Sequence, residues 1–418
     1  MPGERAAAAA VTPPSFARLT LPLAGLNFVN QASRTLIATI GPLLAVEFAL
    51  SASELGLLAA MFFAAYAVAQ LPVGLAIDLW GARRVQSVLA LVAASGFLIC
   101  ALAGGPMTLA IGRVVTGLGI SAGLIAMLKV NTQWYPKERV AGLTGLGVFV
   151  GAMGSLAATL PAQMLVPLLG WRGVFLLLGA MAMAASAWIF LSVPDRGPGP
   201  APPRRSLVLE TREFGRIFAH PAFLRLAPAI ALLSAMNFTY QGLWAGPWLR
   251  DVAGLDEQGR ATLLLVYALG LMLGSAGLGQ AASRLQRRGW SPMAMPVLAI
   301  VVMAVVQALL IALPSTHPIL LGVLWFVFAF CGAGGPAGYA AVGQRFGAEL
   351  AGRVATAINV AMLVLVFFLQ NVTGWILDLW PRTASGGWAS QGYGWSLALT
   401  LALQLASIAW MLRPERGR

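Results

Sequence analysis

Histidine, cysteine, lysine and acidic residues are all scarce in this chain of 418 residues, which holds two histidines, two cysteines, 14 Asp plus Glu, and only Lys129 and Lys137 as lysines. Cys100 and Cys331 each sit inside an apolar run, one in each half of the chain, so neither a disulfide framework nor a cysteine metal cluster is implied. His220 and His317 fall at the ends of apolar runs, away from any candidate nucleophile. Glu47, Glu54, Asp251 and Asp378 also stand near the ends of such runs, and no Asp or Glu falls deep inside one. Paired buried carboxylates, a base beside a nucleophile and a metal-ligand set are therefore all missing, which argues against an intramembrane enzyme and against any cofactor. Charged residues make up only 10% of the chain, against roughly a quarter in soluble proteins, and that excludes an ordinary soluble domain.

What is abundant is apolar: 59% of residues are hydrophobic and the mean hydropathy is +0.81. The 47 glycines and 25 prolines do not argue for disorder, because both are frequent in transmembrane helices. Apolar segments near span length fall at about 19–46, 54–77, 85–104, 108–131, 142–166 and 173–193. A Pro- and Arg-rich break follows, then segments at about 222–250, 261–282, 293–313, 318–343, 354–377 and 394–412. The expected organisation is a cytoplasmic tail 1–18, a six-helix bundle 19–193, a cytoplasmic linker 194–221, a second bundle 222–412 and a short tail 413–418. With the N-terminus inside, the outer loops carry only Arg172, Arg250, Arg260 and Arg382, and Arg34, Arg113 and Lys129 lie within spans. The other 20 of the 27 basic residues fall on the inner side, which explains most of the +13 charge by topology and leaves nucleic acid unneeded as a partner. The arginine bias and high alanine content fit a GC-rich bacterial source and an inner-membrane location.

Arg34 ends a polar stripe, Asn27, Asn30, Gln31, Arg34, spaced i, i+3, i+4, i+7 on one face of the first span. A guanidinium at bilayer depth costs at least about 2.5–3.5 kcal/mol on insertion scales, so something must offset it. A bound anion is one candidate; carbonyls and amides of a neighbouring helix are another. The stripe recurs in the seventh span: Asn27, Phe28 and Gln31 reappear 210 positions later as Asn237, Phe238 and Gln241, and Asn237, Tyr240, Gln241 and Trp244 repeat the spacing. At a similar offset Gly123 maps to Gly334 and Gln133 to Gln344. Such polar residues either glue helices together or line a site at the interface of two repeats.

The segment from Gly74 to Val85, GLAIDLWGARRV, matches G-x-x-x-D-x-x-G-x-R-R through Gly74, Asp78, Gly81, Arg83 and Arg84. This resembles the loop signature of the major facilitator superfamily. A degenerate copy begins at Gly279, with Ser283 in the aspartate position. Arg113, Gly117 and Gly119 resemble a second superfamily motif, R-x-x-x-G-x-G, and Arg113 could equally hold backbone carbonyls. A third, antiporter-type motif is half present: Gly147 and Gly151 keep its spacing, but Ala152 stands where proline is expected.

The resemblance implies an all-α membrane protein of twelve transmembrane helices in two pseudo-symmetric six-helix bundles, working by alternating access as a monomer. It also implies a motif loop that latches the halves in one state.

Two windows resemble the organophosphate and organic-anion branches more closely: RTLIATIGP from Arg34, and LKVNTQWYP, with Lys129 five residues before Trp134. That resemblance implies Arg34 as the primary anion clamp and Lys129 as a second charge, although Lys129 could also snorkel to the interface. It departs at Ser33, where those relatives often carry a carboxylate beside the arginine. The expected substrate is a small organic anion. An exporter of amphipathic compounds, stacking them on Tyr240 and Trp244, is the alternative, and a sensor or scaffold would not need the Arg34 stripe.

Overall fold

The computed structural model describes residues 15–195, 207–313, 317–384 and 386–413, and every regular element among them is helical. Most of the two expected tails and much of the linker, with Arg5, Arg196, Arg204, Arg205, Arg416 and Arg418, lie outside the described residues. In chain order the membrane helices are α1 Phe16–Glu47, α2 Ala52–Trp80, α3 Ala82–Ala101, α4 Pro106–Trp134, α5 Lys137–Ala157 and α6 Leu160–Ser192. A linker helix, Leu207–Ala219, buries Phe214 and Ile217. Then follow α7 Pro221–Asp251, α8 Glu257–Arg287, α9 Ala294–Ala312, α10 Pro318–Phe346, α11 Ala348–Leu377 and α12 Ser390–Met411. Ten of these are long and apolar enough to cross a bilayer by themselves, and α1 and α5 complete the twelve. The polar stripe lowers the apolarity of α1, and burial on nearly all sides shields it from lipid.

Pairing shows the duplication. In the first half α1 packs on α5, α2 on α4, and α3 on both α4 and α6; in the second, α7 packs on α11, α8 on α10, and α9 on both α10 and α12. Exchanging each helix for the one six places later maps one set onto the other. The halves meet through α1 with α7, α2 with α11 and α5 with α8, which keeps the same pseudo-twofold relation.

The structure corrects one expected boundary. The run 142–166 does not form one span: α5 ends at Ala157, Thr159 leaves helical geometry at φ −99°, ψ −117°, and α6 starts at Leu160. Pro161 explains the break, because it sits at the second position of the new helix, where its missing N–H costs nothing. Gly170, at φ 68°, then kinks α6, a conformation open to glycine.

Three other helices are irregular midway. The path of α4 is interrupted between Gly119 and Gly123, that of α10 between Gly332 and Gly335, and α7 makes one π-helical turn at Tyr240–Trp244. Interrupted helices release backbone groups that can only be tolerated where protein or a cavity satisfies them, and π-turns favour functional sites. Gly123, the residue paired with Gly334 by the repeat, faces the amides of Asn27 and Asn30.

Candidate substrate site

Arg34 lies on the seam between the halves. Its guanidinium carbon is 4.7 Å from the ring of Tyr66, 5.1 Å from Phe238 and 5.9 Å from Phe63, so α1, α2 and α7 all contribute to its surroundings. Nε donates to Oδ1 of Asn30 at 2.9 Å. Hydrogen bonds to charged groups are worth about 1.5–3 kcal/mol and desolvated cation–π contacts up to about 2 kcal/mol, so amide and rings together can offset the insertion cost. They supply no negative charge. Among the described residues no carboxylate lies within ion-pair distance of Arg34, which is only 6% exposed.

The rest of the α1 stripe lies around it. Asn27 is buried against Gly151 of α5, where any side chain would collide with its amide, and Gln31 is half-buried. On α7, Asn237 is occupied by Tyr267 of α8, whose hydroxyl donates to the Asn237 carbonyl and Oδ1 at 2.9 and 2.8 Å. Gln241 instead crosses the seam: its Nε2 donates to Thr35 at 3.1 Å and to Ser155 at 3.0 Å, and its buried Oε1 has no hydrogen-bond partner among the described residues. Tyr240 is packed among Trp325 and Phe328, with centroids 5.4 and 5.5 Å away, and Trp244 is fully buried with its indole donating to the Gln370 carbonyl. Neither ring is available for stacking on a solute in this arrangement.

Lys129 also differs from expectation. Its ammonium is paired with the Asp78 carboxylate, so its charge is spent within the first half rather than beside Arg34. Helix geometry explains the pair: both groups come from helix segments approaching the same membrane face, and α2 packs on α4. The remainder of the motif loop is clipped to the end of α6, with Arg83 and Arg84 at 3.8 and 3.3 Å from Asp195. Gly81 adopts φ 86°, and a Cβ there would lie 2.8 Å from the Asp195 carbonyl oxygen. Gly74 faces open space. Arg113 donates to the carbonyl and hydroxyl of Ser33 at 3.1 and 3.3 Å and stacks on Phe62, so it braces the backbone next to Arg34. A groove of about 550 Å³ between α3 and α6, lined by Val88, Leu91 and Phe190 with Arg84 at its edge, belongs to the outer wall of the first half and not to the Arg34 site.

Sequence reasoning missed the ring cage. Phe63 and Tyr66 stand at i, i+3 in an apolar run and give no signal of their own, whereas Phe238 was visible as part of the repeat. It also missed the seam bonds of Gln241, since Thr35 and Ser155 are unremarkable in sequence.

Side-chain contacts among the described residues join the halves from this level toward one membrane face. That face, here the far face, carries the end of α1, the start of α2 and the end of α11. There the Asp378 carboxylate accepts from the backbone N–H groups of Ala52 and Ser53, both at 2.9 Å, Arg382 donates to the Leu50 carbonyl, and Gln163 donates to Glu257 at 3.1 Å.

This architecture agrees with comparison to known proteins. The Major Facilitator Superfamily model matches residues 23–369, and the chain belongs to that family. Among curated proteins it is similar to the "Probable sulfoacetate transporter SauU" of Cupriavidus necator, 26% identical over 60% of each chain. It is also similar to human monocarboxylate transporter 11, 31% identical over 63% of this chain and 55% of the relative, and to the hexuronate transporter of Escherichia coli K12, 30% identical over 38% of each. These matches span no more than 60% of the relatives' lengths. Of solved structures, a bacterial homolog of the human lysosomal transporter Spinster, in an inward-facing and unoccupied conformation, has a TM-score of 0.74 at 19% identity, covering 95% of this chain and 96% of that one. The family and these relatives are transporters, not enzymes.

Proposed function

We propose that this chain carries a small organic anion across the membrane by alternating access, with Arg34 as the clamp for the anionic group. The observation that carries the reading is a buried guanidinium on the seam of two pseudo-symmetric halves, held by an amide and aromatic rings but by no carboxylate among the described residues. Arginine presents a planar fork matched to carboxylate, sulfonate or phosphonate oxygens, and a ligand bound there supplies the missing negative charge. In this reading Asn27 and Gln31 hydrogen-bond the body of the ligand, Asn30 orients the clamp, and Asn237 and Gln241 shape the wall from the second half. The relatives named for sulfoacetate, monocarboxylates and hexuronate support an anionic substrate.

In this reading the near face, bearing the start of α1 and the end of α12, is the cytoplasmic face of a bacterial inner membrane. The excess of arginine there supports that orientation. The protein acts as a monomer, with bundles 19–193 and 222–412 rocking about the seam, and the motif loop around Asp78, Arg83 and Arg84 is part of the near-face gate. Lys129 tunes that gate through Asp78 and does not hold the substrate.

Purified protein in vesicles, assayed for uptake of a panel of monocarboxylates, sulfonates and uronates, tests the clamp. Arg34→Ala is expected to abolish uptake of every anion carried by the wild type, and Arg34→Lys to retain a small part. Uptake of those anions unchanged by Arg34→Ala sinks the reading. Export of cationic dyes that ignores Arg34 would instead favour the amphipathic-compound exporter.

A further inference from the structure

Asp378 is the C-cap residue of α11, a poor place for a carboxylate, because the last turn of a helix carries partial negative charge. It is held there by the opposite half. Both carboxylate oxygens accept backbone N–H groups at the first turn of α2, Oδ1 from Ala52 and Oδ2 from Ser53, each at 2.9 Å. The first turn of a helix exposes unsatisfied N–H groups and partial positive charge, so the same carboxylate that is unfavourable for α11 is favourable for α2. The backbones meet closely below it: a Cβ on Gly374, one turn before Asp378, would lie 2.6 Å from the Ala52 carbonyl. The Ser51 and Glu54 side chains form a capping box with the backbone at the same end of α2, so that end is held by its own residues as well as by Asp378.

We infer that Asp378 is the far-face latch of the transport cycle, a carboxylate of the second half that caps a helix of the first and holds the far face shut. The inference rests on the alternating-access reading and adds to it the residue whose release opens that face. Separation of the halves strips Asp378 of two charge-assisted hydrogen bonds and leaves it at the end of its own helix with no compensating partner on α2, so the contact favours closure in an all-or-none way. At the other end of the same α2–α11 seam, Asp78 rests on Lys129 in its own half and makes no such tie to α11 among the described residues. The asymmetry matches a molecule closed on the far face.

The test uses the full chain in nanodiscs with spin labels on two cysteine pairs, Met107→Cys with Gln258→Cys on the far face and Gln133→Cys with Trp290→Cys on the near face. All four positions are exposed, and the native Cys100 and Cys331 are buried. Asp378→Ala and the isosteric Asp378→Asn are expected to raise the ratio of far-open to far-closed molecules by about tenfold, the effect of losing charge-assisted hydrogen bonds, with a matching shortening on the near face. Distance distributions identical to wild type in both variants overturn the latch. Uptake by the unlabelled wild type is measured alongside. Absence of any anion uptake removes the transport reading beneath it, whereas uptake with unchanged distances removes the latch alone.

Discussion

The Nε of Arg34 donates to Oδ1 of Asn30 at 2.9 Å, one turn back along the same helix. The bond fixes the plane of the guanidinium against the rings of Tyr66 and Phe238, so the clamp is oriented by its own helix before any ligand arrives. An oriented fork loses less freedom on binding than a mobile one.

Asn30→Ala therefore weakens binding without removing charge. We expect about a tenfold rise in the Kd of whichever anion the wild type binds, from loss of a charge-assisted hydrogen bond. Arg34→Ala should eliminate binding in the same titration. Equal affinities for wild type and Asn30→Ala would mean that the amide does not position the clamp.

Lys129 and Asp78 form a partly exposed pair, with side chains 21% and 28% accessible. Lys129→Met is expected to leave equilibrium anion affinity within about twofold of wild type, since such pairs contribute little and this one is not at the clamp. Its effect should appear in turnover. A large loss of affinity with normal turnover would restore Lys129 as a ligand.

Gly246 of α7 sits on α1 so closely that a Cβ would collide with the Ala38 carbonyl oxygen. Gly246→Ala is expected to lower stability by about 1–3 kcal/mol through overpacking, seen as a lower melting temperature in detergent. Gly74→Ala, with nothing within 4 Å of the new Cβ, is the control and should melt like the wild type.

Glu47 lies just past the apolar part of α1, at the far rim. Burial pushes its carboxyl up, but the Trp171 indole at 2.6 Å and Arg172 at 2.8 Å outweigh that and hold it below its ordinary value of 4.5. A depressed folded value means that the unfolded chain binds the proton first as pH falls. The stabilisation is thus complete above the ordinary value and fades as pH drops through the lower folded one. Melting curves of wild type and Glu47→Gln should differ at neutral pH and converge in acid; a gap that persists at the lowest pH would assign the contribution to packing instead.

Much of this was legible in the chain itself. Span number, the division into halves and the distribution of arginine follow from hydropathy and charge, which act residue by residue and need no partner. The repeat from Asn27, Phe28 and Gln31 to Asn237, Phe238 and Gln241 also paired the stripe of α1 with one on α7, and the structure brings those two helices together. Less legible were the roles within the stripe. Tyr240 and Trp244 share the helical face of Gln241, yet a π-turn and the aromatic cluster around Trp325 bury them.

By itself, then, the sequence determined a bilayer-spanning helical duplication with an uncompensated arginine in its first helix, because the cost of placing each group in hydrocarbon is a local quantity. The tertiary structure decided which charges remain to meet a ligand. It gave Lys129 to Asp78, braced Ser33 with Arg113, surrounded Arg34 with rings from both halves, and set Asp378 on the first turn of α2. Those assignments depend on distances between helices far apart in the chain, and Coulombic and hydrogen-bond energies fall away too steeply for residue spacing alone to fix them.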